Sequence, residues 1–469
     1  MKSLVNFSLL VFILAIPNCR DSAVGIEIVA QLEQSNSTLG LTYPQSVKRF
    51  YAKNGNQSAW IQAPVKPTQT WEAMLVLDCV KQYGLVHADY HPDELLYERL
   101  REIMNDPKKA TTREKAHLDV VFTDALITFI NDLHFGKANP LFTRQKIDEG
   151  NVVDFNAETI LAHAIGRKDF LAQILDVQPK STAYIDLQKY MVAIRGQQLD
   201  ACYSAPEAEA RKVAMNIERL KWIGPEAKVY VEINIPSYSL TFHLPDTALN
   251  FKVLVGKPTL PTPTLNSAIG YFRTGPDWKV PHELFVTSVL PKALIDINFL
   301  ADHHYTVYDE GGKFLRIDAK LLQQLKKKPQ DYHLRQSSGR ELTLGRIAFY
   351  FPGNEVNYLF EAQQADLFDF SERAFTNGFI GVQNAEKLAE LILKNDGQTS
   401  RVAEMKWTAN SYTARNFVLQ KSIPLAITYQ TAEVRQGKLI LYPDIYGKDK
   451  ELENKLYPKA EMLAELRNH

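Results

Sequence analysis

His87 and His91, in HADYH, stand four residues apart, a spacing that sets two imidazoles on one helix face and could hold a metal ion. The segment lacks the glutamate of H-E-x-x-H, and Pro92 ends any helix there, so the expectation is structural or surface histidines. His303 and His304 are likewise expected to face solvent, and neither a metal site nor a cofactor is expected. Glu361 and Asp366 could form a carboxylate acid/base pair, although nothing else in the chain supports hydrolase chemistry. They flank RAFTNGFIGV (373–382), where an arginine leads into a polar turn, a glycine follows, and a β-type run begins. A thiol or hydroxyl after such a glycine would be a nucleophile, but the residue there is Phe379. Thr376 has a hydroxyl, yet no histidine near it in sequence could activate it, so it is expected to bond locally. Arg373, Thr376, Asn377 and Gly378 have two readings: holding the turn, which Asn-Gly suits, or forming the polar rim of a cleft.

The elements that must position these residues fall into two regions. Residues 25 to about 225 carry helical periodicity. In EKAHLDVVFTDALITFINDLHFG (114–136) the apolar residues Leu118, Val121, Phe122, Ala125, Leu126, Phe129 and Ile130 form one stripe, ended by Gly136. TWEAMLVLDCVKQYG (70–84) predicts another helix, with Thr70 as cap and Gly84 as stop. From about residue 226 the period changes to two: KVYVEINIP (228–236) places Val229, Val231, Ile233 and Ile235 on one face. FKVLVGK, GRIAFYFPG, SIPLAITYQ and GKLILYP continue in β character, and NAEKLAELILKN (384–395) predicts a helix capped by Asn384. Between 291 and 340 the β pattern lapses, as in an insertion that forms a lid, and 451–469 reads as a C-terminal tail. The fold class expected is α+β: a helical scaffold domain at 25–225, then a β-rich domain at 226–450 with 291–340 as its cap.

Several stretches, in order, resemble one family. NIERLKW (216–222), EINIPSYSLTF (232–242), VGKPTLPTPTL (255–265) and PDWKVP (276–281) come first. LRQSSGRELTLGRIAFYFPGN (334–354), NYLFE (357–361), the 373–382 segment, and IPLAITYQTAEV with LYPDIYGKD follow. Together they resemble the long, scaffold-bearing L,D-transpeptidases of Gram-negative bacteria, whose catalytic domain is of the YkuD type. The resemblance spans residues 40 to 450 and implies peptidoglycan cross-linking. In that chemistry a cysteine thiolate attacks a stem-peptide carbonyl, a histidine takes the proton, and backbone N–H groups hold the oxyanion. The family writes these residues as a Y-L-H segment followed by S-x-G-C-x-R. Here Y-L-H is Tyr358-Leu359-Phe360, and the second motif is Thr376-Asn377-Gly378-Phe379-Ile380-Gly381. Base, nucleophile and arginine are therefore Phe360, Phe379 and Gly381, and Tyr358 joins the possible cleft rim. The peptidoglycan-binding module of many long members has no counterpart expected here, because only residues 196–215 separate the helical domain from NIERLKW.

A phenyl ring can neither form an acyl-enzyme nor take a proton. The resemblance thus implies a catalytically silent homologue that binds a stem peptide or a cell-wall protein, an active transpeptidase among them. The alternative is an active acyl transferase that uses unrecognised residues. Phe360 and Phe379 are expected to pack as an aromatic pair with centroids roughly 4.5 to 7 Å apart.

Composition limits the remaining classes. Lys+Arg and Asp+Glu are both 54, which argues against nucleic-acid binding, and 45% hydrophobic residues suffice for real cores. Lys2 and the apolar LLVFILAI (9–16) read as an export signal within residues 1–19, so periplasm or cell envelope is expected. Cys19 allows a lipid anchor as well as ordinary cleavage. Cys79 and Cys202 could pair in an oxidising compartment or remain separate buried thiols.

Overall fold

The computed structural model of the chain describes residues 23–34, 39–61, 67–152, 154–195, 207–223, 227–337, 344–352 and 358–457. The segment expected to be an export signal, with Cys19, the stretch holding Cys202, and the chain beyond 457 lie outside the described residues. The chain divides into two compact units: Met1–Lys81 with Leu85–Gln178, and Gln82–Gly84 with Pro179–His469.

The first unit is helical. Helix α1 (Pro67–Asp78) starts three residues before Thr70, which sits inside it and donates to the Trp60 carbonyl at 3.4 Å rather than capping. Pro67 opens the helix because its missing N–H has no partner to lose there. Helix α2 (Thr112–His134) is set by a capping box: the Glu114 amide donates to Thr111 Oγ1 at 3.2 Å, and the Thr111 amide to Glu114 Oε2 at 2.8 Å. The apolar stripe on α2 is buried as its spacing predicts, but so is its polar side. Asp119, fully buried, accepts from the Ala59, Trp60 and Ile61 amides at 2.8, 2.9 and 2.9 Å and from the Ser58 hydroxyl at 2.6 Å. Its carboxylate satisfies a loop that no regular element pairs, which burial would otherwise penalise.

Helices α3 (Thr182–Arg195) and α4 (Glu207–Leu220) fall within the second compact unit. Tyr184, Leu187 and Met191 pack with Val213, Ala214, Ile217 and Leu220, and Val434 and Leu439 pack onto that cluster. Amphipathic faces choose their partner by apolar contact, and here the contact is with the β-rich region.

Strands β1 (Tyr230–Asn234), β2 (Ser239–Leu244), β3 (Thr247–Gly256) and β4 (Leu265–Thr274) begin the main sheet. Val231 and Ile233 on β1, and Ile235 just beyond it, are fully buried, as the alternation predicts, and Val229 packs partly buried against the same core. Then comes the cap, wider than the 291–340 lapse suggests. It runs from β5 (Trp278–Lys279) through β6 (Tyr305–Asp309), β7 (Phe314–Leu315) and α5 (Ala319–Lys327) to β8 (Tyr332–Gln336). Its strands form their own sheet in the order β5-β8-β6-β7. The β signal lapsed because these strands are short and partly exposed, without an alternation long enough to read.

The main sheet resumes with β9 (Ile347–Tyr350), β10 (Tyr358–Glu361), β11 (Ala374–Thr376) and β12 (Ile380–Val382). Helices α6 (Ala385–Asn395) and α7 (Val402–Asn410) and the long β13 (Arg415–Thr428) follow. The hairpin β14 (Ala432–Arg435) and β15 (Lys438–Leu441) and a helix α8 (Lys448–Leu456) complete the described chain. That helix enters the segment expected as a tail. The nine strands run β11-β3-β12-β10-β9-β4-β13-β1-β2, and β3 also pairs with β2, which closes a barrel. Asn384 precedes α6 in the left-handed region at φ +57° and makes no side-chain cap, contrary to the expectation from its type. The architecture is α+β: helical region, barrel sheet, inserted cap.

Candidate functional site

Strands β10 and β12 lie side by side and parallel, with Leu359 opposite Ile380 and Phe360 opposite Gly381. Side chains alternate along each strand, so Leu359 and Ile380 enter the barrel core while Phe360, and Phe379 just before β12, face the other way. The two phenyl rings meet edge to face with centroids 6.1 Å apart, inside the range expected for them. They are 5% and 4% exposed. Trp278 also meets Phe379 edge to face, at 5.7 Å. Both rings join the cap's own apolar cluster, with Leu290, Leu300, Leu325 and Leu334. Wall and cap thus share one dry core at this point.

The turn before Phe379 is fixed by its own groups. Thr376 Oγ1 donates to the Phe379 carbonyl at 2.5 Å, so the hydroxyl is spent inside the turn. Gly378 has φ +90°, a conformation that side-chain-bearing residues avoid. Its carbonyl accepts from Thr262 Oγ1 at 3.2 Å, and Gly256 lies so close that a β-carbon on it would meet Gly378 Cα at 2.9 Å. Arg373 donates to the Tyr238 carbonyl at 2.9 Å, the Phe370 carbonyl at 2.9 Å and the Val253 carbonyl at 3.3 Å, with its guanidinium 5.3 Å from the Tyr238 ring. Three carbonyls use its donors, so it braces the strand entry. Asn377 is half-buried; Tyr358 has its backbone in β10 opposite Tyr350, and its side chain lies outside the described residues.

Gly381 has a steric meaning as well as a chemical one. A β-carbon there would lie 2.9 Å from Ala362 Cβ and 3.5 Å from Leu254 Cβ. Real β-carbons do not approach that closely, so any side chain at 381 requires Ala362 to move.

The carboxylates at 361 and 366 do not form a pair. Glu361 is 8% exposed and grips Arg346: its Oε1 accepts from Nη2 at 2.6 Å and its Oε2 from Nε at 3.0 Å. Hydrogen bonding to the Glu361 carboxylate is the main reason that the Arg346 guanidinium holds its proton more tightly than usual. Arg346 also reaches Glu386 at 3.2 Å and Asn410 Oδ1 at 2.7 Å, tying the sheet to the helical layer, while Asp366 is exposed. Sequence reading missed Arg346 and Trp278, because neither stands in a spacing that signals a site. The histidines disperse too: His87 faces Asp78 at 3.4 Å, and His91, at φ +53°, bonds Asp124 Oδ2 at 2.8 Å. His303 bonds the Phe299 carbonyl through Nδ1 at 2.8 Å, and His304 is exposed.

Residues 45–191 match the family model described as Scaffold domain. A Haemophilus influenzae (strain ATCC 51907 / DSM 11121 / KW20 / Rd) protein named "Putative L,D-transpeptidase" is 30% identical over 246 residues, 52% of this chain. The match spans 49% of that protein, so the chain covers about half the length of the relative. Together, the scaffold-domain match and the 30% identity over half the chain support an L,D-transpeptidase-family protein with a scaffold domain. Phe360 on β10 and Phe379, just before the adjoining β12, are buried in the cluster they share with the cap. Among the described residues that cluster is built of phenyl, indole and aliphatic groups, with Tyr305, Tyr332 and Tyr350 packed partly buried against it.

Proposed function

We propose that this protein is an exported, catalytically silent L,D-transpeptidase homologue that acts in the cell wall by binding, to a stem peptide of peptidoglycan or to a cell-wall protein. The observation that carries the reading is the buried edge-to-face contact of Phe360 and Phe379, 6.1 Å between centroids, at the positions where the family motif has histidine and cysteine. Gly381 in the arginine position, and a turn whose only hydroxyl bonds its own backbone, support it.

The test is incubation of the purified protein with a carbapenem, which acylates active members at cysteine, followed by intact-mass spectrometry. No adduct is expected, and a stoichiometric one would overturn the silent reading. Phe360→His with Phe379→Cys should gain labelling, because the two side chains already meet. Adding Gly381→Arg should lower the yield of folded protein unless Ala362→Gly accompanies it, since the new β-carbon has no room.

A further inference from the structure

A cavity of about 80 Å³ lies in the β-rich unit, and its walls share no residue with the Phe360–Phe379 site. Ala183 and Leu187 of α3, Leu220 of α4 and Ala432 of β14 supply an aliphatic wall. Glu232 and Asn234 of β1, Ser239 and Thr241 of β2, and Gln430, Glu433 and Arg435 supply a polar one. The strand register explains the polar wall: Glu232 stands opposite Thr241 and Asn234 opposite Ser239, so one face of the pair is lined with oxygen atoms.

The charges do not cancel. Glu433 is engaged by the Arg435 guanidinium and accepts from the Tyr442 hydroxyl. Among the described residues Glu232 is paired with the ring of His243 alone, at 3.3 Å, and His243 itself stacks on Tyr230. Two carboxylates, Glu232 and Glu433, thus face one guanidinium, Arg435, among the charged groups of the walls. Gln430 is 6% exposed, its backbone amide donates to Asn234 Oδ1 at 2.8 Å, and its side-chain Oε1 is buried without a hydrogen-bond partner among the described residues. A buried acceptor left unpaired asks for a donor.

We infer that this cavity is a binding site for a primary ammonium group on an aliphatic stem, the chemistry of a lysine side chain. Methylenes would lie along Leu187, Leu220 and Ala432. The ammonium would bring three donors and one positive charge to Glu232, Gln430 Oε1 and a wall hydroxyl. A guanidinium is bulkier and planar, a poorer match to a pocket this small. The site stands independently of the silent-enzyme reading, because it uses neither aromatic ring. The same chemistry arrives either free, as a small amine, or as the side chain of a peptide.

Calorimetric titration of the full-length protein with three probes tests this: N-α-acetyl-lysine amide, its N-ε-acetylated analogue, and a short peptide with one lysine. Saturable binding of the lysine amide is expected, with none for the acetylated analogue. Glu232→Gln should weaken binding at least tenfold while leaving the thermal transition in place. Ala183→Trp, at an exposed helix position that lines the cavity, should abolish binding by filling the space. Tighter binding of the peptide than of the amide assigns the source to a protein or peptide partner; equal affinity assigns it to a free amine. Absence of saturable binding, equal binding of the acetylated analogue, or indifference to both substitutions would overturn the site.

Discussion

Phe379 follows a glycine held at φ +90° and packs edge to face against both Phe360 and Trp278. Buried against both, the ring has little freedom to swing out and reopen a cleft. Truncating it leaves a cavity lined by indole, phenyl and leucine groups that strand geometry prevents from collapsing. Phe379→Ala should therefore lower stability by about 3 to 5 kcal/mol, the usual cost of losing a buried phenyl, read from urea denaturation. A loss below about 1 kcal/mol would mean that the ring is not part of the cap's core. Residue types announced this outcome better than residue contacts did. Two phenylalanines in motif positions were legible, whereas the steric demand at Gly381 was not, because it depends on Ala362 of the neighbouring strand segment.

At the scale of elements, α2 carries the largest difference between expectation and structure. Its 3.6-residue stripe predicted a helix with one apolar face, yet Asp119, Asp124 and Asp132 on its other sides are also buried. Asp119 ends the loop 58–61 by accepting its amides, a role no spacing reveals. Asp119→Ala should cost at least about 3 kcal/mol, since several buried donors lose their acceptor together. Thermal unfolding checks this, and a shift of only a degree or two would show that the loop finds other partners. His91 gives the same helix a pH response. Burial works against its charge, but hydrogen bonds and charges from Asp124 and Glu94 outweigh burial and raise its pKa above the ordinary value. A raised folded-state value stabilises fully below the unfolded pKa of about 6.5, and the gain is lost as pH climbs through the folded value. Stability should thus fall between about pH 6 and pH 8 in the wild type, and His91→Gln should flatten that slope in equilibrium unfolding. An unchanged slope would locate the response elsewhere.

For the whole molecule, the division of the chain decides what can be studied in isolation. Helices α3 and α4 look from sequence like the end of a helical domain, but their apolar faces pack together and onto the β14–β15 hairpin. A chain that begins at residue 179 should fold with a cooperative transition, while one that begins at 226 should expose the hairpin side and bind a hydrophobic dye. Equal behaviour of the two would return those helices to the first unit. The cap teaches a related lesson. Sequence placed an insertion near 291–340, and the structure extends it back to Trp278, because an indole meeting Phe379 belongs to the cap's core rather than to the strand before it.

The sequence by itself determined the order of helical and β regions, the inward faces of α2 and β1, and which side chains stand at the three positions that resemble the motif. Those follow from side-chain period and residue chemistry, which are local properties. Only the tertiary structure decided that the two phenyl rings share the cap's core, that Glu361 serves Arg346, and which unit owns α3 and α4. Each of those is a contact between residues far apart in the chain, and its strength depends on geometry that neighbouring residues do not encode.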